Sequence, residues 1–356
     1  MNCATRRFPY RYRVAMLLLV CFSALSPAYA FDAIYAFGDS LTDTGNNPAP
    51  APDYYQGRFS NGPLWIEYFS TQLGLVYQPT NNFAQSGGET SDALAQVERF
   101  VAPANAPGSL YVVWAGGNDF IHNFAQGPID SFWNGLIAQS VGNLSNAVSV
   151  LYARGARVIV VPNQVDLSRI PLVVDSGYPA FVLTYLRAKV DEFNVSLAAA
   201  LTHLAQTRPD LQLIAPDVSA KFNDVLSNLN TYGFTKADPD ALHDALLTDR
   251  SFTGPGKDYV FWDPIHPTTK AHMLVARWFY AALPQTTPAP RLSLVAMAGA
   301  LEFTLGALQN GQTYTLQSSS NLTDWAEVTT IAATNSTQQW STSVGSFSRE
   351  FFRLKW

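Results

Sequence analysis

Cysteine is nearly absent from this chain of 356 residues, which contains only Cys3 and Cys21. Both lie in the first thirty residues, where four arginines accompany a twelve-residue apolar run (14–25) and a final Ala-Tyr-Ala (28–30). A basic start, an apolar run and small residues in this order are typical of a secretory signal peptide. We therefore predict cleavage near Ala30 and an exported chain without cysteine, which excludes thiolate catalysis and Cys-based metal sites.

Long apolar runs and positive charge are also scarce. A helix needs about 20 apolar residues to cross a bilayer, and neither the run at 14–25 nor any later stretch reaches that length. Loss of residues 1–30 removes four arginines and no acid, which leaves 18 basic against 27 acidic residues and a net charge of −9. Such a surface repels nucleic-acid phosphates. The sequence thus predicts a secreted globular protein, extracellular or periplasmic, that does not bind nucleic acid.

Short β-type runs alternate with longer helical runs between residues 31 and 284. Strands are predicted at 33–37, 109–114, 157–161 and 211–214, and helices at 64–73, 92–101, 130–152, 180–205 and 264–283. This alternation predicts an α/β domain with a parallel sheet covered by helices on both faces. The segment 230–263, with several prolines, glycines and aromatics, is interpreted as a substrate-covering loop or as a surface excursion with buried aromatic side chains.

The composition changes at residues 285–291, whose Pro and Thr content is that of a semi-rigid linker. Five short alternating runs follow, at 301–305, 314–317, 327–331, 338–341 and 351–354. They predict that residues 292–356 form a small C-terminal all-β module resembling a sandwich. Trp325 and Trp340 of this module are interpreted either as core aromatics or as platforms for sugar rings.

A serine follows the first predicted strand directly, in the sequence Gly38-Asp39-Ser40-Leu41. The carboxyl ends of parallel strands form the edge at which open α/β sheets bind their ligands. Alone, a serine after a strand more often caps a helix than acts as a nucleophile. A catalytic interpretation of Ser40 therefore depends on partners elsewhere in the chain.

One such partner is the sequence Asp263-Pro264-Ile265-His266, just before the last predicted helix. Its spacing lets the carboxylate reach imidazole Nδ1 and leaves Nε2 free to accept a serine proton. Alone, it could instead be a capping arrangement or half of a metal site. The other histidines are His122, His203, His243 and His272. None has ligand spacing beside a carboxylate cluster, so we predict neither a metal nor another cofactor.

Ester hydrolysis also needs donors that already point at the carbonyl oxygen when it becomes negatively charged. Two loops supply candidates: residues 82–90, with Gly87 and Gly88, and residues 116–119, with Asn118. The glycines allow a close approach to backbone N–H groups. Each loop alone is a weak signal, because Gly-Gly pairs are common in turns.

Together these four stretches resemble the GDSL (SGNH) hydrolase family, whose blocks read Gly-Asp-Ser-Leu, a glycine loop, Gly-x-Asn-Asp and Asp-x-x-His in this order. The resemblance covers roughly residues 31–284 and implies a flavodoxin-like three-layer α/β/α fold. It implies Ser40 as nucleophile, His266 as base and Asp263 as its orienting partner.

The same resemblance implies an oxyanion hole formed by the backbone N–H groups of Ser40 and Gly87 and the side chain of Asn118. Gly87 is chosen because it falls five residues after Asn82, and Gly88 stays an alternative. Residues 57–65 resemble the lipase, phospholipase and haemolysin branch of the family. Many members of that branch have a cysteine pair before the Asp-x-x-His block, which this sequence lacks, so the course of the loop before Asp263 stays open.

The function predicted from these residues is that of a secreted serine esterase or lipase that forms an acyl-enzyme on Ser40. Its substrate would be a lipid, an aryl ester or an acylated glycan, with peripheral contact to a membrane or cell surface, and we expect a monomer. Phospholipase or acyltransferase activity is an alternative within the family. A surface-binding protein that acts through the β-module is the non-enzymatic alternative. The triplet Asp43-Thr44-Gly45 matches aspartic proteases but has no second copy.

Overall fold

The computed structural model describes residues 31–284, 290–297, 300–308, 310–320, 324–343 and 351–355. The predicted signal peptide (1–30) and most of the predicted linker (285–289) lie outside these residues. In the part of the chain that is described, no helix has both the length and the apolar character to span a membrane.

The α/β region (31–284) contains four strands and eight helices in the described residues. The strands are β1 (Ile34–Gly38), β2 (Leu110–Trp114), β3 (Val158–Val160) and β4 (Gln212–Ile214). The helices are α1 (Trp65–Gln72), α2 (Thr90–Arg99), α3 (Gly117–Asn123), α4 (Asp130–Ala153), α5 (Pro171–Val174), α6 (Ala180–Thr207), α7 (Val218–Ser227) and α8 (Thr269–Ala282).

The four strands form one parallel sheet in the order β1-β2-β3-β4. A fifth position exists on the free side of β1, where Asn82 forms a parallel bridge to Ala36. The backbone N–H of Phe83 donates to Ala36 at 2.8 Å, and that of Gln85 donates to Gly38 at 3.0 Å. When this segment is counted as the second strand, the order is 2-1-3-4-5, which is the flavodoxin-like order predicted from the resemblance.

The sheet is buried on both faces because its strands consist almost entirely of apolar residues. On one face, Phe37, Tyr111, Val113 and Ile159 pack in a core with side chains of α2, α4 and α6. On the other face, Ala36, Val112, Trp114 and Val160 pack with side chains of α1 and α8. This alternation along each strand explains the three layers, and the predicted α/β/α architecture is confirmed.

The last helix of this region begins at Thr269, so its predicted start at residue 264 is wrong. The Oδ1 atom of Asp263 accepts the backbone N–H groups of Ile265 and His266 at 2.8 and 2.7 Å. Phe261 also forms an antiparallel bridge to Pro267. These contacts hold residues 263–267 in a tight turn rather than in a helix.

The segment 230–263 contains short 3₁₀ turns and several buried aromatic side chains. Phe234, Tyr259 and Phe261 are buried, and the first and third belong to the main core. The Asp244 carboxylate accepts the Tyr259 hydroxyl and also pairs with Lys236. These contacts favour the interpretation of residues 230–263 as a surface excursion with buried aromatic side chains rather than as a substrate-covering loop.

The β-module contains six strands: β5 (Arg291–Met297), β6 (Ala300–Gly306), β7 (Thr313–Ser319), β8 (Ala326–Ala332), β9 (Thr337–Ser343) and β10 (Phe351–Lys355). They form two antiparallel three-stranded sheets, β5-β6-β9 and β10-β7-β8. Phe303 and Leu305 of the first sheet share a core with Tyr314 and Leu316 of the second, as in a sandwich. Strand β5, which begins inside the predicted linker, was not predicted.

Trp340 packs 5.4 Å from the ring of Phe303, which favours its interpretation as a core residue.

Candidate active site

Ser40 lies at the carboxyl end of β1, beside the end of β2. In a flavodoxin-like sheet the chain leaves these two strands toward opposite sides, which opens the crevice where such folds bind ligands. Gly38 ends β1 with φ +152°, and a Cβ atom there would lie 2.1 Å from the carbonyl oxygen of Trp114. Only glycine fits this close approach, so Gly38 lets the chain turn out of the sheet and present Ser40.

Ser40, His266 and Asp263 form a continuous hydrogen-bonded chain, although Ser40 and His266 are 226 residues apart. The Ser40 Oγ lies 2.7 Å from His266 Nε2, and His266 Nδ1 lies 2.7 Å from Asp263 Oδ2. Because a carboxylate only accepts, Nδ1 carries the proton and Nε2 accepts from the serine hydroxyl. The structure thus brings together the three side chains that the sequence predicts as nucleophile, base and orienting partner.

Asp263 is buried and is kept as an anion. Burial by itself would raise the pKa of this carboxyl, but the charge and hydrogen bond of His266 and the two backbone N–H groups lower it below the usual value. An anionic partner fixes the imidazole tautomer and stabilises the imidazolium that forms when the ring takes a proton.

Two of the three predicted oxyanion donors, Ser40 and Gly87, lie on the loops that follow β1 and residue 82, and the third, Asn118, lies in the first turn of α3 after β2. The Asn118 side chain donates one N–H to the carbonyl oxygen of Gly88 at 2.9 Å, which orients the amide and leaves its second N–H to point elsewhere. Gly88 donates its own N–H to Gln85, whereas Ser40 and Gly87 donate to no acceptor within residues 31–284. Gly87, with φ +81°, therefore has an available donor and Gly88 does not.

Asp43 has a structural part in this site that the sequence did not predict. Its carboxylate accepts the backbone N–H groups of Gly45, Asn46 and Asn47, and both the N–H and the hydroxyl of Ser86. It thereby ties the loop after Ser40 to the loop that contains Gly87. The Asp43-Thr44-Gly45 triplet, which matched aspartic proteases, is a loop anchor here.

Two aromatic residues from another part of the chain also reach the His266–Asp263 pair. Tyr54 donates its hydroxyl to Asp263 Oδ2 at 2.8 Å, and the Phe59 ring lies 4.7 Å from the His266 ring. The sequence showed Phe59 only as part of the 57–65 block and did not show Tyr54 at all. Neither contact could be found from spacing, because each spans more than 200 residues.

Asp39, next to Ser40, is a buried carboxyl that faces the same crevice. Burial raises its pKa to about 7, against the opposing effects of the Leu41 N–H and of His266. The Leu41 N–H donates to Asp39 Oδ1 at 3.0 Å. Asp39 therefore changes charge in the neutral pH range beside the imidazole.

A small apolar pocket opens at Ser40 and Asn118, with a water-accessible volume of about 50 Å³. The apolar residues that line it include Ile121, Leu167, Ile170, Phe222, Phe261 and Ile265. Gly117 and Asn118 belong to its wall, as do Ile265 and Pro267 on either side of His266. It can hold an apolar substituent of a carbonyl group that is attached to Ser40.

Among the described residues, no group of three or more His, Cys, Asp or Glu side chains could hold a metal ion. A second Asp-x-x-His turn occurs at Asp240 and His243, where His243 Nδ1 lies 2.9 Å from Asp240 Oδ1. Its imidazole is exposed, and within residues 31–284 no hydroxyl hydrogen-bonds to its Nε2. The motif alone therefore forms a local turn, and the serine is what distinguishes the pair at 263 and 266.

Several known proteins are similar to this chain in sequence. The sequence profile of the GDSL-like lipase/acylhydrolase family matches residues 34–279 of the chain. A GDSL esterase/lipase of Arabidopsis thaliana, At1g71691, is 26% identical over 313 residues, which covers 70% of this chain and 81% of the relative. An acetylesterase of Thermothelomyces thermophilus is 25% identical over 275 residues, 68% of this chain and 85% of that protein.

A solved structure that is similar to this chain is that of Axe2, an acetylxylan esterase from Geobacillus stearothermophilus. The TM-score is 0.44 and the sequence identity 18%, over 72% of this chain and 96% of Axe2.

Proposed function

Because the chain belongs to the GDSL-like lipase/acylhydrolase family, we propose that it hydrolyses carboxylic esters through an acyl-enzyme formed on Ser40. Ester hydrolysis is the activity of its esterase and lipase relatives. The geometry of the site supports the acyl-enzyme route and the role proposed for each residue.

The observation that carries this proposal is the 2.7 Å contact between Ser40 Oγ and His266 Nε2, with Asp263 behind the imidazole. A nucleophile, a base and an orienting group in hydrogen-bond contact are the arrangement that activates a serine hydroxyl. The proposed donors at Ser40 and Gly87 lie on loops and that of Asn118 in the first turn of α3, where they would stabilise a tetrahedral oxyanion.

The reaction proceeds in two balanced steps. His266 takes the Ser40 proton while Oγ attacks the ester carbonyl, and the imidazolium then gives this proton to the departing alcohol as the C–O bond breaks. In the second step His266 takes a proton from water, whose oxygen attacks the acyl carbon. The acid leaves, and the proton returns to Ser40.

The apolar pocket indicates which part of the ester it receives. The pocket opens at Ser40 and Asn118, beside the proposed nucleophile and a proposed oxyanion donor, where the carbonyl group of the ester would lie. We propose that it receives the acyl group. Its volume of about 50 Å³ corresponds to roughly three to five water-sized groups, at about 10–15 Å³ each. Acyl chains of a few carbons should be preferred.

The proposal is tested with p-nitrophenyl esters from acetate to decanoate and the variant Ser40→Ala. We expect wild-type turnover that is highest for short chains, and loss of turnover for every ester in Ser40→Ala. The control Ser145→Ala removes a hydroxyl that donates to Val141 on α4, far in sequence from the site, and should keep full activity. Equal turnover by wild type and Ser40→Ala would refute the acyl-enzyme on Ser40.

We also infer that the protein is exported and that residues 1–30 are removed. Support comes from the basic start, the apolar run at 14–25 and the Ala-Tyr-Ala at 28–30. Expression of the full chain in a bacterial host should give a product outside the cytoplasm that begins at Phe31, as measured by mass spectrometry. A cytoplasmic product that keeps residues 1–30 would contradict export.

A further inference from the structure

Residues 53–61, which we call the clamp segment, contact the loop before α8 and the first residue of that helix, Thr269, at several points. At the ends, Trp262 Nε1 donates to the carbonyl oxygen of Asp53 at 2.8 Å, and the Thr269 N–H donates to Asn61 Oδ1 at 2.8 Å. Between them, the Ser60 hydroxyl donates to the carbonyl oxygen of Pro267 at 2.9 Å. The clamp segment thus holds the loop that contains Asp263 and His266 without a covalent link.

Within the clamp segment, Tyr54 contacts the same carboxylate oxygen that binds the imidazole. Asp263 Oδ2 accepts the Tyr54 hydroxyl at 2.8 Å and His266 Nδ1–H at 2.7 Å. Burial and the nearby Asp263 charge raise the pKa of Tyr54 above its ordinary value. The hydroxyl therefore keeps its proton and acts only as a donor to the carboxylate.

The second aromatic residue of the clamp segment restrains the imidazole itself. The Phe59 ring lies 4.7 Å from the His266 ring at an interplanar angle of 33°, and Tyr54 lies 5.1 Å from Phe59. Tyr54 thus contacts the carboxylate and also packs against the ring that faces His266. Removal of the Tyr54 hydroxyl would change the negative charge that Asp263 presents to the imidazole, whereas the Tyr54 ring would keep its packing against Phe59.

We propose that Tyr54 is a positioning residue that acts through Asp263 and limits how strongly the carboxylate stabilises the protonated form of His266. The proposal rests on the function proposed for His266 as the base. A hydroxyl that donates to Oδ2 spreads part of the carboxylate charge away from Nδ1. The Tyr54 hydroxyl and the imidazole thus share one carboxylate oxygen, and the hydroxyl reduces the negative charge that this oxygen presents to Nδ1–H.

Other charged groups near this pair are the same in the wild type and in a Tyr54 variant. Asp39 acts on His266 from the β1 side, and burial raises its pKa to about 7. His272 faces His266 from α8 and stays neutral, because burial lowers its pKa to about 3. Asp53 and Asp240 act on Tyr54 itself. Their contributions cancel when the variant is compared with the wild type.

The test is the variant Tyr54→Phe, which removes only the hydroxyl. We expect the acidic limb of the kcat/KM profile to move to higher pH by roughly 0.5–1 unit, which follows if the lost bond is worth about 1 kcal/mol to the imidazolium. Above this limb, kcat should stay within about threefold of wild type. The matched control Tyr68→Phe removes a hydroxyl that contacts Thr269 of the same loop at 2.7 Å, and it should leave the profile unchanged.

A second readout does not depend on turnover. In a Ser40→Ala background, the Nδ1–H proton of His266 is followed by NMR against pH, with and without Tyr54→Phe. The same shift to higher pH is expected there, so this arm decides the role of Tyr54 even if Ser40 is not the nucleophile. Unchanged titration in Tyr54→Phe, a shift to lower pH, or an equal shift in Tyr68→Phe would overturn the proposal.

Discussion

Asp39 is the residue next to Ser40 in the chain, and its carboxyl is almost completely removed from solvent. A carboxyl group in such surroundings resists ionisation because the protein replaces only part of its hydration. The Leu41 N–H and the His266 charge offset this effect in part. A carboxyl that must ionise in such surroundings costs folding stability at neutral pH.

We predict that the folding stability of the Asp39→Asn variant, relative to that of the wild type, increases as the pH rises. The pKa of Asp39 is raised to about 7 in the folded protein, whereas an unfolded aspartate titrates near 3.9. Between these values the folded state binds more protons than the unfolded state, so wild-type stability falls with rising pH. Asparagine has no such proton and can still accept the Leu41 N–H. The Tm of the variant relative to wild type should therefore increase from pH 5 to pH 8.

The control for this measurement is Asp191→Asn, which changes an exposed carboxylate on α6. Its Tm difference from wild type should be the same at both pH values. A pH-independent difference for Asp39→Asn as well would show that Asp39 does not titrate in the neutral range.

At the residue scale, the sequence predicts those site residues that motifs contain and misses those that only the fold brings in. Ser40, Asn118, Asp263 and His266 were predicted from the blocks and Gly87 from its spacing to Asn82, and their catalytic roles stay predictions. Tyr54 and Asp43 were not, because their contacts depend on how distant loops meet. The Asp240–His243 turn shows the converse, since the same spacing there gives the same local hydrogen bonds without a serine.

At the scale of elements, the end of β1 has no complete strand on its free side. The segment beside it pairs as a strand only at Asn82, so the backbone of Gly38 needs another partner. The Gln96 side chain of α2 supplies it: Oε1 accepts the Gly38 N–H at 2.8 Å, and Nε2 donates to the Gly38 carbonyl oxygen at 2.9 Å. A side-chain amide thus completes the strand two residues before Ser40.

We predict that Gln96→Leu lowers the free energy of unfolding by about 1–3 kcal/mol. The Gly38 carbonyl oxygen keeps the Gln85 N–H, but the buried Gly38 N–H loses its acceptor. Urea denaturation measures the loss, and ester turnover should also fall because the turn to Ser40 loosens. Gln206→Leu, an exposed change on α6, should alter neither quantity. A wild-type urea midpoint for Gln96→Leu would contradict this role.

The elements that the sequence predicts well are those with long or strongly apolar patterns. The four strands of the sheet and helices α1, α2, α4 and α6 agree with prediction to within about two residues at most ends. Helix α3 was missed because its Gly-Gly start is typical of a turn. Helix α7 was also missed because it is only ten residues long. Asp217, which accepts the Ala220 N–H at 3.0 Å, could have indicated its start.

At the scale of the whole molecule, the α/β region and the β-module have separate apolar cores. The buried apolar residues of the first lie between Phe31 and Leu283, and those of the second between Phe303 and Ala333. Each core therefore consists of residues from its own region. A region with its own core can fold without the other.

We predict that residues 31–284 alone fold and hydrolyse short-chain esters with the kcat/KM of residues 31–356, within about twofold. The reason is that every residue of the proposed site, and each core that supports it, belongs to this part of the chain. Thermal unfolding and p-nitrophenyl acetate hydrolysis measure both properties. Loss of folding or of turnover in the shorter chain would show that the β-module contributes to the site.

The contact between Ser40 and His266 joins the first strand of the α/β region to the loop before its last helix. A ribosome delivers the serine 226 residues before the histidine, which at roughly 5–20 residues per second is on the order of 10–45 s. Throughout that interval the hydroxyl has no imidazole beside it and is as unreactive as any other alcohol. On the proposed mechanism, a polypeptide that ends before residue 266 lacks its base and cannot attack an ester, so the cell that synthesises it is not exposed to an active hydrolase that early.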